Sequence, residues 1–317
     1  MSLKVLQGDC REVLKTLPDK TFNTCVTSPP YWGLRDYGED NQLGLEETPQ
    51  EYVANLVEVF REVRRVLRDD GTVWLNLGDS YSSGGRKTTT NQTVRGDTDY
   101  GVTRPPVYKG IKPKDLVGIP WRAAFALQED GWYLRQDIIW NKPNPMPESV
   151  KDRCTKSHEY IFLLSKSKNY YFDNESIKEE VKEVSIKRAE YGLKHNHPKD
   201  IGVGIPPVDT KKMGKRFVNP EGRNKRSVWT VTTKPYKEAH FATYPPDLIE
   251  PCILAGCPEG GHVLDPFGGA GTTALVSDRL GRNATLIELN KSYADIMEKR
   301  LRNDAPLFME VVIDEGI

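Results

Sequence analysis

The 317-residue sequence has few of the features that mark membrane, secreted or metal-binding proteins. No segment approaches the ~20 consecutive apolar residues of a membrane span, and the start MSLKVLQGDC lacks the long apolar core of a signal peptide. The five cysteines form no CxxC pair and match no common zinc-ligand spacing. We therefore expect a soluble, cytoplasmic protein with no metal and no membrane partner.

The sequence also lacks an excess of charge of either sign. Lysines and arginines number 45, as do aspartates and glutamates, so any face that binds nucleic acid must be local. Residues 205–237 form one basic segment, with nine basic and two acidic residues and a net charge of +7. A charge run is often only a solvated face, so this segment indicates a partner only together with other motifs.

Short β-rich apolar runs alternate with helical patterns along most of the chain. Seven runs predict strands buried on both faces, at residues 3–6, 22–27, 72–77, 134–140, 160–164, 262–264 and 284–287. The sequence Thr48-Pro49-Gln50-Glu51 predicts a helix start with a capping box, and Gly71 is expected to end this helix. The alternation indicates an α/β fold with a doubly wound, mostly parallel sheet.

Two segments interrupt the alternation. Residues 82–114 are rich in Gly, Thr, Pro and charge, which predicts a long, mobile surface loop. Residues 174–233 are first charged and then Gly/Pro-rich and basic, which predicts an insertion or small subdomain. The predicted organisation is one domain formed by 1–173 and 234–317, interrupted by 174–233.

The segment HVLDPFGGAGTT, His262 to Thr273, predicts a buried strand, a glycine loop and a helix start. Such a loop lets the backbone approach a ligand, and the helix N-terminus favours an anion, although a tight strand-to-helix turn has the same pattern. The lysine of a P-loop is absent, which argues against a nucleoside triphosphate. About twenty residues on, the next predicted strand ends in Glu288, which is suited to accept hydrogen bonds from ribose hydroxyls. Together these features predict an adenosyl-type cofactor.

The segment TSPPYW, Thr27 to Trp32, closes another predicted strand. Pro29 and Pro30 stiffen the turn and leave carbonyls pointing outward and unpaired, while Ser28 adds a hydroxyl and Tyr31 a flat ring. This assembly suits a planar base whose amino group donates to Ser28 and to the Pro29 carbonyl while the ring stacks on Tyr31. The alternative is a Pro-Pro turn with its aromatic residues packed in the core, and Trp32 fits either a pocket wall or core packing.

TSPPYW followed by DPFGGAGTT resembles the amino-group DNA methyltransferases, which use S-adenosyl-L-methionine to methylate cytosine N4 or adenine N6. The tetrapeptide precedes the glycine loop, an order similar to the β class of that family. The resemblance spans nearly the whole chain. It implies a Rossmann-like methyltransferase fold in permuted order, with the first two strands of the family's sheet coming last in sequence.

The resemblance also assigns residues to the site. Ser28, Pro29, Pro30 and Tyr31 match the catalytic tetrapeptide. Matches to the cofactor-binding positions are Asp9, Asp265, Phe267, Gly268, Gly271, Thr272 and Glu288, and the segment that closes over the methionine part includes His240, Phe241 and Thr243.

The first residue of the tetrapeptide bears on the target. SPPY resembles the N4-cytosine enzymes, whereas members with Asp at this position mostly methylate adenine N6. Two other functions remain open: methylation of a protein amide or an RNA base, and DNA binding by a non-catalytic scaffold. Family members that act on protein or RNA more often carry Asn at the position of Ser28 and place the glycine loop first.

The expected substrate is double-stranded DNA with the target base flipped out. The predicted DNA-binding residues are Lys211, Lys212, Lys215, Arg216, Arg223, Lys225 and Arg226, and a second basic set comprises Arg86, Lys87, Arg95, Arg104, Lys109, Lys112 and Lys114. Asn141, Lys142 and Arg153 lie in a Pro-rich segment that fits either an active-site wall or a plain connection. The resemblance further implies a bacterial or phage-encoded protein of a restriction-modification system, and it is compatible with a homodimer and a cognate restriction endonuclease.

Overall fold

The computed structural model describes residues 1–34, 38–39, 41–82, 111–181, 222–234, 244–304 and 310–315. The chain divides into two compact units, one of Met1–Phe172 with Ser227–Ile317 and the other of Asp173–Arg226. The predicted insertion at 174–233 begins one residue inside the second unit, but its last seven residues belong to the first. They do so because Val228–Thr230 forms a strand of the main sheet.

Nine strands form one sheet in the described part of the chain: β1 (Ser2–Gln7), β2 (Phe22–Thr27), β3 (Leu67–Leu77), β4 (Tyr133–Asn141), β5 (His158–Ser165), β6 (Val228–Thr230), β7 (His262–Asp265), β8 (Asn283–Glu288) and β9 (Glu310–Glu315). Their order is β6-β4-β5-β3-β2-β7-β8-β1-β9. Neighbouring strands are parallel except where β5 pairs with β3 and β4. Each of the seven predicted strands lies within an observed one, and the prediction of a mostly parallel sheet is confirmed.

The strand order brings distant parts of the sequence together. β7 and β8, which come late in the chain, lie between β2 and β1. Because β1, β2, β3, β4, β7 and β8 run in one direction, their last residues meet at one edge of the sheet, and the antiparallel strand β5 begins at that edge.

Six described helices connect the strands: α1 (Cys10–Thr16), α2 (Pro49–Val66), α3 (Ile119–Glu129), α4 (Pro246–Gly256), α5 (Thr272–Arg279) and α6 (Lys291–Asp304). None of them combines the length and apolarity that crossing a membrane requires. The capping box of α2 is formed, because Glu51 N donates to Thr48 Oγ1 at 3.2 Å and Thr48 N donates to Glu51 Oε2 at 3.1 Å.

The prediction that Gly71 ends α2 is wrong. The helix ends at Val66, and the backbone is already extended at Leu67, where β3 begins. Gly71 lies within β3, where a Cβ atom would come within 2.9 Å of the Arg68 carbonyl oxygen. The glycine therefore permits a close backbone approach inside the strand and caps no helix.

Candidate active site

A cavity of about 790 Å³ lies at the edge of the sheet where the parallel strands end. The tetrapeptide after β2 and the glycine loop after β7 both line it. The predicted residues on its wall are Asp9, Ser28, Pro29, Pro30, Tyr31, Lys142, Phe267, Gly268, Thr272 and Glu288. Asp265, Gly271, Asn141 and Arg153 are described but do not line it. His240, Phe241 and Thr243 lie outside the described residues, as do Lys211, Lys212, Lys215 and Arg216.

The glycine loop is packed directly against helix α6. A Cβ atom at Gly268 would lie 2.9 Å from Met297 Cε, and one at Gly271 would lie 2.4 Å from Met297 Cγ. Gly271 also has a φ of +76°, which favours glycine. Helix α5 starts at Thr272 with no capping side chain, so the loop forms a cradle for an anionic group beside a helix N-terminus.

Arg300 of α6 is hydrogen-bonded to this loop from outside the cavity. Its Nη1 donates to the Ala270 carbonyl at 2.9 Å and to Thr272 Oγ1 at 3.0 Å. No sequence motif marks Arg300, because an arginine on an amphipathic helix has the pattern of ordinary surface charge. The contact makes the shape of the loop depend on α6 as well as on its own glycines.

Asp265 is fully buried behind the loop. Its Oδ1 accepts from Thr27 Oγ1 at 2.6 Å and from Phe267 N at 3.1 Å, and its Oδ2 accepts from Thr273 Oγ1 at 2.5 Å and Tyr244 Oη at 3.0 Å. Burial raises the pKa of Asp265 to about 6, although these hydrogen bonds oppose the increase. Asp265 thus links the segments on either side of the cavity, and its part in cofactor binding stays a prediction.

Glu288 lies at the end of β8 and faces the cavity. Its Oε2 accepts from Gly269 N at 2.7 Å and its Oε1 accepts from Asn290 N at 3.0 Å. Burial raises the pKa of Glu288 to about 7, against the effect of those two hydrogen bonds. Each carboxylate oxygen has a second lone pair, so the group can also accept hydrogen bonds from a ligand.

Asp9 follows β1 and caps helix α1 by accepting from Arg11 N at 2.9 Å. Burial opposes its ionisation, but hydrogen bonds from the Arg11 side chain and backbone outweigh that effect and lower the pKa of Asp9. The same guanidinium donates to the Asn41 carbonyl at 2.7 Å. Asp9 therefore presents a fixed carboxylate on the cavity wall that Glu288 also lines.

The tetrapeptide turn is fixed by hydrogen bonds to its neighbours. Tyr52 Oη donates to the Pro30 carbonyl at 2.8 Å, so the expectation that both proline carbonyls are unpaired is wrong for Pro30. No described residue donates to the Pro29 carbonyl, and Pro29 lies on the cavity wall. Trp32 is buried in the core and its Nε1 donates to the Glu46 carbonyl at 3.0 Å, so packing rather than a pocket wall describes its place.

The ring of Tyr31 is held between the sheet and the cavity. A Cβ atom at Gly78 would lie 2.5 Å from Tyr31 Cε2, so the ring rests on that glycine. Tyr31 Oη donates to Glu159 Oε2 at 2.7 Å and lies 3.2 Å from Asn76 Oδ1. Burial and the nearby Glu159 charge raise the pKa of Tyr31 well above its usual range, with the Ser28 side chain opposing them, so the phenol stays protonated.

Of the three candidate residues at and after the end of β4, one lines the cavity. Lys142 lines the cavity, forms an ion pair with Glu159 and lies 4.1 Å from the centre of the Trp140 ring. Asn141 instead donates to Thr230 Oγ1 at 3.1 Å. Arg153 pairs with Glu148 at 2.6 Å and stacks 3.8 Å from the centre of the Tyr81 ring.

Several predicted DNA-binding residues have acidic neighbours. Within the second unit, Arg223 and Arg226 both pair with Glu179, each at 3.0 Å. In the other basic segment, Lys112 and Lys114 pair with Asp115 and Asp152 at 3.4 and 2.6 Å. The remaining members of that second set, from Arg86 to Lys109, lie outside the described residues.

Three residues around Tyr31 carry no sequence motif, namely Asn76, Gly78 and Glu159. Asn76 and Glu159 are polar residues inside apolar strand sequences, VWLNL and HEYIFLLS. A polar side chain interrupting a buried strand was the available signal. Within the described ranges, no cluster of three or more His, Cys, Asp or Glu side chains is arranged to hold a metal ion.

Comparison with known proteins places this site in a family. Residues 22–299 match the family model N6_N4_Mtase, described as DNA methylase. The Type II methyltransferase M.SmaI of Serratia marcescens is 49% identical over 303 residues, covering 95% of this chain and 91% of that protein. M.Cfr9I of Citrobacter freundii is 48% identical over 300 residues, covering 95% and 88%.

Two solved structures share the fold. The PvuII cytosine-N4-specific DNA methyltransferase aligns with a TM-score of 0.60 at 18% identity, covering 100% of this chain and 98% of that one. A putative DNA modification methylase from Thermus thermophilus, complexed with S-adenosyl-L-methionine, aligns with a TM-score of 0.59 at 22% identity, covering 98% and 99%. With its SPPY tetrapeptide ahead of the glycine loop, the chain belongs to the amino-group DNA methylase family, in the motif order of the β class.

Proposed function

We propose that this protein transfers a methyl group from S-adenosyl-L-methionine to the exocyclic amino group of a base flipped out of double-stranded DNA, and that the base is cytosine and the atom N4. One observation carries the proposal: the SPPY turn and the glycine loop line the same cavity. A base entering beside Tyr31 therefore meets a cofactor held beside Gly268.

The residues on the cavity wall fit the cofactor. The cradle at Gly268 and Gly271 excludes side chains, and Glu288 has lone pairs for ribose hydroxyls. On the cavity wall, Asp9 is assigned to the adenine of the cofactor and Phe267 adds an apolar surface. Thr272 starts helix α5, whose N-terminus suits the carboxylate of the cofactor's methionine part. S-adenosyl-L-methionine supplies a methyl group on a positively charged sulfur, which an amine can attack. The closing segment at His240, Phe241 and Thr243 stays a prediction.

The tetrapeptide supplies the groups that a base amine needs. The Pro29 carbonyl accepts one amino hydrogen and the Ser28 hydroxyl accepts the other, which draws the nitrogen lone pair out of conjugation. The ring of Tyr31 stacks on the base. Transfer of the methyl group from sulfur to the amine nitrogen would leave S-adenosyl-L-homocysteine, and the amine would give up one proton to water. No strong base is needed to start the attack.

Cytosine N4 is favoured over adenine N6 by the serine at the first position of the tetrapeptide. Either amine fits the hydrogen-bond geometry, so the preference depends on the resemblance of SPPY to N4-cytosine enzymes. The PvuII DNA methyltransferase, which shares the fold of this chain, is described as cytosine-N4-specific, and that description supports the assignment.

DNA contacts are assigned to the basic segment from Lys211 to Arg226. Its charge suits the phosphate backbone, and Lys225 adds a cation between the two arginines that pair with Glu179. The relatives' designation as Type II methyltransferases supports a cognate restriction endonuclease. A homodimer and a cytoplasmic location stay predictions.

Nucleoside mass spectrometry tests the proposal directly. Unmethylated plasmid and bacterial DNA are incubated with the protein and labelled S-adenosyl-L-methionine, then digested to nucleosides. N4-methylcytosine is the expected product, and N6-methyladenine alone would reverse the assignment of the base. Labelling of protein or RNA in place of duplex DNA, or DNA binding without cofactor binding, would contradict the proposed reaction.

A further inference from the structure

We propose that Glu159 is a positioning residue, which fixes the ring of Tyr31 in the orientation that receives the target base. This inference rests on the proposed function, because it assigns the stacking surface for the base to Tyr31. Glu159 lies near the start of β5, and no cofactor or catalytic role was predicted for it.

Glu159 accepts a hydrogen bond from the hydroxyl group of Tyr31. Tyr31 Oη has a single proton, and its shorter contact is the 2.7 Å hydrogen bond to Glu159 Oε2 rather than the 3.2 Å contact to Asn76. A bond to a charged acceptor is also the stronger of the two. Asn76 supports the same carboxylate, since its Nδ2 lies 3.3 Å from Glu159 Oε2 and donates to the Tyr160 carbonyl at 3.0 Å.

The backbone of Gly78 packs against the ring of Tyr31. A Cβ atom there would overlap Tyr31 Cε2 at 2.5 Å and lie 3.0 Å from Cδ2, so the Gly78 backbone lies directly against that side of the ring. Tyr31 also lines the cavity, where a base can stack on it. With the Cδ2–Cε2 side packed against Gly78 and the hydroxyl bonded to Glu159, rotation of the ring is restricted.

Glu159 lies on the cavity wall, but both of its carboxylate oxygens are already engaged by protein groups. One oxygen of Glu159 is engaged by Tyr31 and Asn76, and the other by Lys142. Its side chain is 15% exposed and that of Lys142 is 18% exposed, so the ion pair is largely shielded from solvent. Lys142 in turn lies over the Trp140 ring, which links the ends of β4 and β2 through Glu159.

A double-mutant cycle tests whether Glu159 acts through Tyr31. Single-turnover methylation is measured at saturating DNA and cofactor for wild type, Glu159→Ala, Tyr31→Phe and the double variant. Misplacing the ring should lower the rate constant on the order of 100-fold in Glu159→Ala, with S-adenosyl-L-methionine affinity unchanged by calorimetry. In the Tyr31→Phe background the same change should cost less than about three-fold, because the hydroxyl that Glu159 holds is already absent.

Matched variants separate positioning from folding. Glu62→Ala removes a carboxylate that pairs with Arg65 at 2.8 Å on α2 and should methylate at the wild-type rate. If Glu159→Ala does not fold, the double change Lys142→Met with Glu159→Leu, which removes the acceptor for Tyr31 Oη and leaves neither charge without its partner, replaces it in the cycle. An unchanged rate in either Glu159 variant, or an equal loss with and without the Tyr31 hydroxyl, would overturn the inference.

A readout independent of turnover distinguishes this inference from the proposed function. With 3-fluorotyrosine placed at position 31, the ¹⁹F resonance should broaden or split in Glu159→Ala and stay as in wild type in Glu62→Ala. An unchanged resonance would show that Glu159 does not fix the ring. If wild type transfers no methyl group to DNA, the proposed function fails while the ¹⁹F comparison still decides the role of Glu159.

Discussion

Thr27 Oγ1 donates a 2.6 Å hydrogen bond to the Asp265 carboxylate, which joins the last residue of β2 to the last residue of β7. Ser28 follows the first strand and the glycine loop follows the second. One buried carboxylate therefore joins the ends of the two paired strands that lead into the tetrapeptide and the glycine loop.

Because Asp265 is buried, the free energy of unfolding should fall as the pH rises through about 6. The pKa of Asp265 is raised from 3.8 to about 6 in the folded protein, so the folded state holds its proton over that range while the unfolded state releases it. The stabilising contribution is therefore full at low pH and is lost as the pH rises through 6. Urea unfolding of wild type and Asp265→Asn at several pH values measures the difference.

The free energy of unfolding of wild type, relative to Asp265→Asn, should fall by up to about 3 kcal/mol between pH 4 and pH 7. The asparagine does not titrate, so its unfolding free energy lacks this component. A constant difference across that range would contradict the assignment.

Glu288 should make cofactor affinity depend on pH near neutrality. Burial raises its pKa to about 7, and the ionised carboxylate is the better acceptor for ribose hydroxyls. Affinity for S-adenosyl-L-methionine should therefore rise on the order of ten-fold from pH 6 to pH 8. Calorimetry on Glu288→Gln should give weaker binding with a flat profile, and a flat wild-type profile would contradict the role.

Gly78→Ala should damage catalysis more than folding. The added methyl group would come within 2.5 Å of the Tyr31 ring, so the ring must move, and we expect a loss of rate on the order of 100-fold with cofactor affinity retained. Gly256→Ala is a matched control, because its Cβ atom would meet Thr24, Trp74 and Thr72 within 2.9 Å in the core.

The control should lower the unfolding temperature and leave the turnover of the folded enzyme near wild type. Thermal unfolding and methylation rates of both variants provide the comparison. Equal losses of rate in the two variants would show that the effect of Gly78 is general to folding.

Removing the Arg300 side chain should loosen the glycine loop. Arg300→Met breaks the hydrogen bonds to the Ala270 carbonyl and Thr272 Oγ1, so S-adenosyl-L-methionine affinity should fall by about ten-fold, which corresponds to one or two lost hydrogen bonds. Arg302→Met on the same helix, where Arg302 pairs with Glu298 at 2.8 Å, should bind as wild type. Calorimetry decides, and equal affinities would contradict the role of Arg300.

Neutralising the basic segment should weaken DNA binding and make the remaining affinity less dependent on salt concentration. Replacing Lys211, Lys212, Lys215 and Arg216 with Ala removes four cations, which should flatten the slope of log affinity against log salt by about four units if each one contacts a phosphate. Cofactor affinity should not change. Lys15→Ala removes an exposed cation that pairs with Glu12, and it controls for the loss of a cation elsewhere on the surface. An unaltered slope in the fourfold variant would show that the DNA does not bind at this segment.

Much of the fold and part of the site followed from local patterns. The seven strands, the α2 capping box and the two motif loops could be predicted because alternating apolar runs, Thr48-Pro49-Gln50-Glu51 and clustered Gly or Pro each act through neighbouring residues. The end of α2 could not, because the extended conformation at Leu67 is selected by the pairing of β3 with β2 and overrides the glycine signal at Gly71.

The sequence by itself determined which chemical groups are available: two acceptors and a flat ring at SPPY, a glycine loop, and an acid at the end of β8. Only the tertiary structure decided how they work together. Asp265 links β2 to β7 because its carboxylate accepts a hydrogen bond from Thr27 across the sheet. Glu159 reached Tyr31 because β5 is antiparallel, so its first residues lie where the parallel strands end. Strand direction and order are set by packing between distant segments, which no local sequence pattern encodes.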